Sequence, residues 1–192
     1  MYGLVTFAAI DVLVVCTGNI CRSPMAEALL RAHLAAVGIE AHVHSAGTMA
    51  WSTPPPSEVI EAMREHDIDL ADHRSCQLDE VIVRDADLIL GMTRQHVGRV
   101  EALVPDAGPR TYLVGELVRL GRDVGPRLPG ESVREWLTRV DAARPHERIR
   151  GRGVDEVTDP LGEPLDTFRA TAARLDAELQ ALAHLLAVEG GL

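Results

Sequence analysis

The sequence predicts an α/β protein built on a doubly wound, four-stranded parallel sheet with three layers. Short apolar runs rich in β-branched residues alternate four times with longer segments whose apolar residues recur every three or four positions. Such alternation is typical of a parallel sheet with helices on both faces. A length of 192 residues with 46% apolar and 25% charged residues suits one globular domain. We therefore expect a single domain over 1–192.

The first strand and the first helix follow one another closely. Residues 11–16, DVLVVC, are apolar apart from the first and predict a central strand covered on both faces. Ser23 can cap the next helix, with Pro24 at its first position. Four apolar residues then recur at helical spacing, namely Met25, Ala28, Leu29 and Ala32. Gly38 is expected to end this helix.

The remaining elements continue the alternation. Three more apolar runs are predicted as strands: 41–47, 85–92 and 110–115. Two helices are predicted between them: 57–68, capped by Ser57, and 93–104. The last helix has the clearest pattern, with Leu165, Phe168, Ala172, Leu175, Leu179, Leu182 and Leu186 spaced by three or four. Residues 116–153, rich in Arg, Gly and Pro, predict a surface excursion or a lid, with one helix near Ser132–Ala143.

Composition and charge exclude several classes of function. A net charge of −10 argues against a nucleic-acid or anionic-membrane partner. Three cysteines do not form a disulfide framework, so a reducing compartment is favoured. All 19 basic residues are arginines, which excludes lysine-based phosphate loops and Schiff bases. The apolar N-terminal segment is too short and too interrupted for a membrane helix, so we expect a cytoplasmic protein.

The loop 17–22 carries the clearest chemistry in the chain. It follows the first strand, and ligands of doubly wound sheets bind outside the carboxyl ends of strands. The loop N–H groups can converge on one phosphate-sized point at the positive end of the next helix. Arg22 adds a planar fork for two phosphate oxygens, and Gly18 permits an unusual backbone conformation. The sequence therefore predicts an anion site here.

A thiol and a carboxyl group complete this hypothesis. Helix N-termini and cationic neighbours favour a thiolate, so Cys16 is a candidate nucleophile, with Ser23 as a hydrogen-bond donor to its sulfur. Asp159, followed by Pro160, is a candidate acid for a leaving oxygen. Two alternatives stay open from the residues alone: the cysteine can be a small core residue, and the Asp-Pro pair can merely open a turn.

The run CTGNICRSPMAEALL, residues 16–30, resembles the phosphate-binding loop of the bacterial low-molecular-weight protein tyrosine phosphatases. The resemblance continues in HSAGTMAW, DHRSCQL, DLILGMT and TDPLG, in the order found in that family. It covers the chain except the first ten residues and 116–153, which it marks as unusual for the family. The resemblance implies a flavodoxin-like phosphatase fold and hydrolysis of phosphate monoesters, above all protein phosphotyrosine.

The resemblance also implies roles for individual residues. Cys16 is the nucleophile, Arg22 stabilises the transferring phosphoryl group, and Asp159 is the general acid and base. The phosphate-binding residues are Thr17, Gly18, Asn19, Ile20, Cys21 and Ser23, with Ser45 supporting the loop together with Asn19. Trp51 and Leu161 correspond to the pocket walls. Cys21 either forms a redox disulfide with Cys16 or packs within the loop.

No cofactor or metal is implied, and His44, His73 and His96 have no spacing typical of a metal site. The expected partner is a phosphorylated protein or a small aryl phosphate, and the expected state is a monomer or a weak dimer. Three alternatives remain.

The first is a protein-arginine phosphatase of the same fold. Protein-arginine phosphatases carry threonine at the position of Ile20, so Ile20 favours phosphotyrosine. Leu161 stands where many family members carry an aromatic wall residue, so the pocket is less well built for a tyrosine ring. An arsenate reductase would need a cysteine relay for which Cys76 alone is present. A phosphate-binding module without turnover is the third.

Overall fold

A four-stranded parallel sheet forms the centre of the molecule in the computed structural model, which describes residues 9–145 and 151–188. The strands are β1 (Ile10–Cys16), β2 (Ala41–Gly47), β3 (Leu88–Gly91) and β4 (Thr111–Leu113). Their order is β2-β1-β3-β4, with every pair parallel. The predicted doubly wound fold is thus confirmed. Because β2 and β3 flank β1, the chain reverses its winding at the carboxyl end of β1, where such sheets bind ligands.

Seven α-helices cover the two faces of the sheet in the described residues. They are α1 (Arg22–Ala36), α2 (Ser57–Arg64), α3 (Glu80–Asp85), α4 (Arg94–Leu103), α5 (Val114–Val124), α6 (Val133–Ala142) and α7 (Leu165–Leu186). Alternate side chains of β1 enter two cores: Val12 and Val14 pack in the larger one with α1, α2, α5, α6 and α7. Leu13 and Val15 pack in the smaller one with α3 and α4. Both faces of β1 are therefore buried, as its continuous apolar run predicts.

The segment 116–153 is not only a surface excursion, because α5 and α6 each bury one face in the larger core. Its described residues form most of α5 and all of α6. The predicted helix near Ser132–Ala143 is confirmed as α6, and none of the residues 125–132 between the two helices is buried.

Trp136 of α6 is fully buried and packs so closely on Gly121 of α5 that a Cβ there would lie 2.9 Å from the indole. The indole N–H donates to the carbonyl oxygen of Gly125 at 3.0 Å. Residues 146–150 lie outside the described part of the chain.

Two predicted helix caps are also wrong. Helix α1 begins at Arg22, and the Ser23 hydroxyl contacts the sulfur of Cys16 instead of a backbone N–H. Helix α2 begins at Ser57, whose hydroxyl donates to Glu58, and it ends at Arg64 rather than at residue 68. Gly38, in contrast, has the left-handed backbone (φ +73°) that a residue just beyond a helix end requires, as predicted.

The third strand is shorter than predicted because a helix precedes it. Residues Glu80–Asp85 form α3, which the sequence analysis missed. Asp79 caps this helix, its carboxylate accepting the N–H groups of Val81 and Ile82 at 2.9 and 3.0 Å. None of the described helices combines the length and apolar character needed to cross a bilayer.

Candidate active site

The loop between β1 and α1 is paired with the segment that follows β2. Three backbone N–H groups of that segment donate to three successive carbonyl groups: Thr48 to Cys16 at 3.0 Å, Met49 to Thr17 at 3.0 Å and Trp51 to Gly18 at 3.1 Å. The Trp51 indole thereby lies on the loop, where a Cβ at Gly18 would be 3.0 Å from the ring. A side chain at position 18 would push the exposed indole outward by a few tenths of an ångström. Gly18 does not have a positive φ, so the unusual backbone conformation predicted for it is wrong.

The sulfur of Cys16 lies at the start of α1 and receives hydrogen bonds from the loop. The Asn19 backbone N–H donates to it at 3.3 Å, and the Ser23 hydroxyl oxygen lies 2.9 Å away. Because Ser23 Oγ accepts from the Asn19 side chain, its own proton is free to point at the sulfur. Donors of this kind, at the positive end of a helix, stabilise a thiolate.

Asn19 holds the loop in shape. Its backbone is left-handed (φ +54°), a conformation that asparagine tolerates better than most residues. Its side-chain N–H₂ group donates to Ser23 Oγ at 2.9 Å and to Ser45 Oγ at 2.8 Å, while Oδ1 accepts the Cys76 N–H at 2.7 Å. Its carbonyl oxygen accepts from the His73 ring at 2.8 Å. Every polar group of this fully buried side chain is therefore used.

We expect Asn19→Ala to lower the free energy of unfolding by about 3 kcal/mol or more, since it leaves several buried groups unpaired and puts alanine in a left-handed position. The measurement is urea denaturation followed by circular dichroism. Asp67→Ala is the matched control, because Asp67 has a similar backbone (φ +59°) but an exposed side chain. An equal loss in both variants would show that backbone strain, and not the hydrogen bonds, accounts for the effect.

His96, for which the sequence predicts no metal site, supports the loop from α4 by a contact that the sequence analysis did not predict. Its Nδ1 accepts the Thr93 N–H at 3.1 Å, so in the neutral ring Nε2 carries the proton and donates to Thr17 Oγ1 at 2.9 Å. Burial, together with the positive charge of Arg22, lowers the pKa of His96 to about 4. The ring is therefore neutral at neutral pH. A lone histidine at a helix start carries no sequence signal for this contact.

Arg22 and Asp159 face each other across the cleft. The Arg22 Nη2 atom forms an ion pair with Asp159 Oδ2, and Nη1 donates to the Val157 carbonyl oxygen at 3.2 Å. Arg22 is buried, with 4% of the residue exposed, and its Nε has no hydrogen-bond partner among the residues that the structure describes. The Val157 N–H donates to the Met92 carbonyl oxygen at 2.8 Å, which ties the Asp159 loop to the end of β3.

These side chains surround a cleft of 210 Å³. Its lining consists of Cys16, Thr17, Gly18, Ile20, Cys21, Arg22, Trp51, Asp159 and Leu161. Asn19, Ser23 and Ser45 lie behind this lining and support it. Cys76 is exposed and does not line the cleft, and neither does any described residue of 116–153. The structure thus brings together residues that the sequence analysis selected from three separate segments.

Cys21 differs chemically from Cys16. Burial, aided by the negative charge of Asp159, raises the pKa of the Cys21 thiol to about 12. Cys21 is therefore a protonated thiol at neutral pH and a poor first target for oxidants, which attack thiolates. Both cysteines are free thiols, and a disulfide between them stays a prediction.

This parallel α/β fold, with a cysteine loop at the start of a helix and a carboxylate opposite, is shared with solved low molecular weight phosphatases. A family model described as "Low molecular weight phosphotyrosine protein phosphatase" matches residues 11–119. The chain belongs to this family, and the resemblance noted in its motifs is confirmed.

Several known proteins are similar to the chain. EpsP of Ralstonia nicotianae, described as "Probable low molecular weight protein-tyrosine-phosphatase", is 42% identical over 145 residues, covering 75% of this chain and 90% of its own. A protein-arginine-phosphatase of Bacillus subtilis is 44% identical over 90 residues, covering 45% and 57%. The crystal structure of a YwlE mutant from Bacillus subtilis superimposes with a TM-score of 0.69 at 29% identity, covering 91% and 97%.

Proposed function

We propose that the chain hydrolyses phosphate monoesters, above all protein phosphotyrosine, through a phosphoenzyme formed on Cys16. The observation that carries this proposal is the meeting of Cys16, Arg22 and Asp159 in one cleft. The long match to a relative named as a tyrosine phosphatase supports the substrate class. We further propose that the substrate is a phosphorylated protein or a small aryl phosphate, and that the enzyme acts in the cytoplasm as a monomer or weak dimer.

In the first step, the Cys16 thiolate attacks phosphorus and the bond to the leaving oxygen breaks. The carboxylic acid of Asp159 gives its proton to that oxygen, so that an alcohol or phenol leaves rather than an oxyanion. The loop N–H groups and the Arg22 guanidinium hold the equatorial oxygens, the main catalytic contribution in phosphoryl transfer. The product of this step is a cysteinyl-phosphate.

In the second step, the Asp159 carboxylate takes a proton from water, which attacks phosphorus and releases the Cys16 thiolate and inorganic phosphate. In the structure, Arg22 is paired with Asp159. A bound phosphate dianion competes with the carboxylate for the guanidinium, so substrate binding releases Asp159 to face the leaving oxygen.

We expect Asp159→Asn to lower kcat on a phosphotyrosine peptide by about 10²–10⁴-fold. The loss on p-nitrophenyl phosphate should be clearly smaller, because its leaving group needs little protonation. Steady-state kinetics on both substrates provide the measurement, with Glu163→Gln, an exposed carboxylate in the same loop, as the matched control. Equal losses on the two substrates would contradict a general-acid role and leave only a structural one.

A protein-arginine phosphatase is the second candidate function. The similarity to the Bacillus subtilis protein-arginine-phosphatase and the aliphatic Leu161 at the cleft favour it. Against it, Ile20 lines the cleft with an apolar side chain that offers no hydrogen bond to the guanidinium of phosphoarginine. An aromatic ring, in contrast, can pack against Ile20, Trp51 and Leu161.

Comparing rates on phosphotyrosine, phosphoarginine and phosphoserine peptides tests the substrate. We expect the wild type to prefer phosphotyrosine and Ile20→Thr to raise the phosphoarginine to phosphotyrosine ratio of kcat/KM by about tenfold or more. Ile20→Val is the matched control, because valine has the shape of threonine without its hydroxyl. If the wild type preferred phosphoarginine, the second candidate function would be established instead. If Ile20→Thr and Ile20→Val changed the ratio of kcat/KM equally, the effect would come from the shape of the side chain and not from its hydroxyl.

A further inference from the structure

A second group of chemically active side chains lies at the end of the sheet opposite to the cleft. Asp11 is near the start of β1, and His42 and His44 are near the start of β2, whereas Cys16 ends β1. Asp11 and His42 are partners in the parallel register, so all three side chains emerge on the same face of the sheet. The proposed phosphatase reaction uses none of them.

The three side chains are already in contact through their polar atoms. Asp11 Oδ2 lies 2.8 Å from His42 Nδ1, and Asp11 Oδ1 lies 2.8 Å from His44 Nε2. The two imidazole rings are stacked, with centroids 4.9 Å apart and planes inclined by 19°. The three atoms that could bind a metal ion, one from each side chain, lie within 4.8 Å of one another. The contact brings two imidazole nitrogens beside one carboxylate, each nitrogen against a different oxygen.

The position of the carboxylate is set by its surroundings. The Asp11 backbone N–H donates to Asp87 Oδ2 at 2.9 Å, which anchors the start of β1 to the residue before β3. The carboxylate is thus held at the start of β1, where both of its oxygens face imidazole nitrogens of β2.

We propose that Asp11, His42 and His44 bind a divalent late-transition-metal ion, specifically Zn²⁺, through one carboxylate oxygen, His42 Nδ1 and His44 Nε2. Two imidazoles and one carboxylate are typical of open zinc sites, whereas Ca²⁺ and Mg²⁺ prefer oxygen ligands alone. Bonds of about 2.0–2.2 Å in a tetrahedron separate the ligand atoms by roughly 3.4 Å. The three ligand atoms now lie within 4.8 Å of one another, so small side-chain rotations must lengthen the two 2.8 Å contacts and shorten the longest separation.

The fourth coordination position of this ion faces solvent, because the His42 side chain is 69% exposed. Water fills it in a monomer. The ion would join β2, the edge strand of the sheet, to β1 by a link that the backbone ladder does not provide. Such a link would stabilise the edge of the sheet, and the proposal does not depend on the proposed function. Because metal binds only the folded arrangement, it raises the melting temperature.

A second grouping of two histidines and an aspartate provides an internal control. His33 Nε2 lies 2.7 Å from Asp176 Oδ1, but His66 Nδ1 is 3.9 Å from Asp176 Oδ2. These residues come from α1, from the turn after α2 and from α7 rather than from adjacent strands. The same residue types are present, but their ligand atoms do not converge as closely.

The test is a calorimetric titration with Zn²⁺ in phosphate-free buffer. All proteins are full-length and carry Cys16→Ser, which removes the thiolate that would itself bind zinc. We expect one Zn²⁺ per chain, with association at least about tenfold weaker in His42→Gln and in Asp11→Asn. His33→Gln, the matched control, should change it less than about twofold. His42 is largely exposed, so His42→Gln decides the matter even if Asp11→Asn fails to fold.

A second readout is thermal. At free Zn²⁺ about one hundred times the dissociation constant, the melting temperature of the parent should rise by roughly 5–10 °C, and that of His42→Gln by much less. Absence of zinc binding in the parent overturns the proposal. So does undiminished binding in His42→Gln, and so does an equal loss in His33→Gln, which would place the ion elsewhere.

Discussion

Replacing Cys16 with serine is expected to lower kcat on an aryl phosphate by at least about 10⁴-fold. The side chain keeps nearly the same shape, and the Asn19 N–H and the Ser23 hydroxyl still have an oxygen to contact. The chemistry nevertheless changes, because those donors can stabilise a thiolate but cannot make a serine hydroxyl ionise at neutral pH. We therefore attribute the fall in kcat to the missing nucleophile and not to a change in the structure of the loop. Steady-state hydrolysis of p-nitrophenyl phosphate measures it.

Two controls distinguish the loss of the nucleophile from a disruption of the loop structure. Cys76→Ser makes the same substitution at an exposed cysteine outside the cleft, and we expect activity within about twofold of wild type. Vanadate binding by Cys16→Ser, followed by calorimetry, reports whether the loop still holds a tetrahedral anion. Turnover by Cys16→Ser at the wild-type rate would refute the mechanism. Vanadate binding to the wild type without any turnover would instead support a phosphate-binding module.

The parts of the site that are contiguous in the chain could be predicted from the sequence. Cys16, Gly18 and Arg22 lie on one short loop between a buried strand and a helix, and the geometry of that junction determines where they point. Asp159 is separated from Arg22 by 137 positions, and only an Asp-Pro pair marked it. The contact between Thr17 and His96 spans 79 positions without any local pattern. Such contacts depend on tertiary packing alone.

The errors in the predicted fold have a similar origin. Helix α5 contains Gly115 and Gly121, which argue against a helix by intrinsic propensity. In the structure, Gly121 makes room for the indole of Trp136, so packing outweighs the cost of the glycine. Helix α3 has six residues, too few for a helical period to be recognised. Ser23 has the residue type of a cap, but its hydroxyl lies closer to a better partner, the sulfur of Cys16.

Arg22→Lys is the second substitution for which we expect a very large effect, a loss of about 10³-fold or more in kcat/KM. Lysine keeps the positive charge but replaces a planar fork by a single point charge. Arg22 is buried, and its fork already directs one nitrogen at the Val157 carbonyl oxygen and another at Asp159. An ammonium group cannot make these contacts and also hold two phosphate oxygens. Kinetics on a phosphotyrosine peptide provide the measurement.

Arg94→Lys is the matched control for this prediction. Arg94 also binds the Asp159 loop, through Glu156 at 3.1 Å, but its side chain is 45% exposed. Exposed ion pairs contribute little, so we expect this variant to retain activity within about threefold. If Arg22→Lys lost no more than Arg94→Lys, the positive charge alone would be sufficient and bidentate binding of the phosphoryl group would be disproved. A large loss confined to Arg22→Lys would instead show that transition-state binding depends on the shape of the guanidinium.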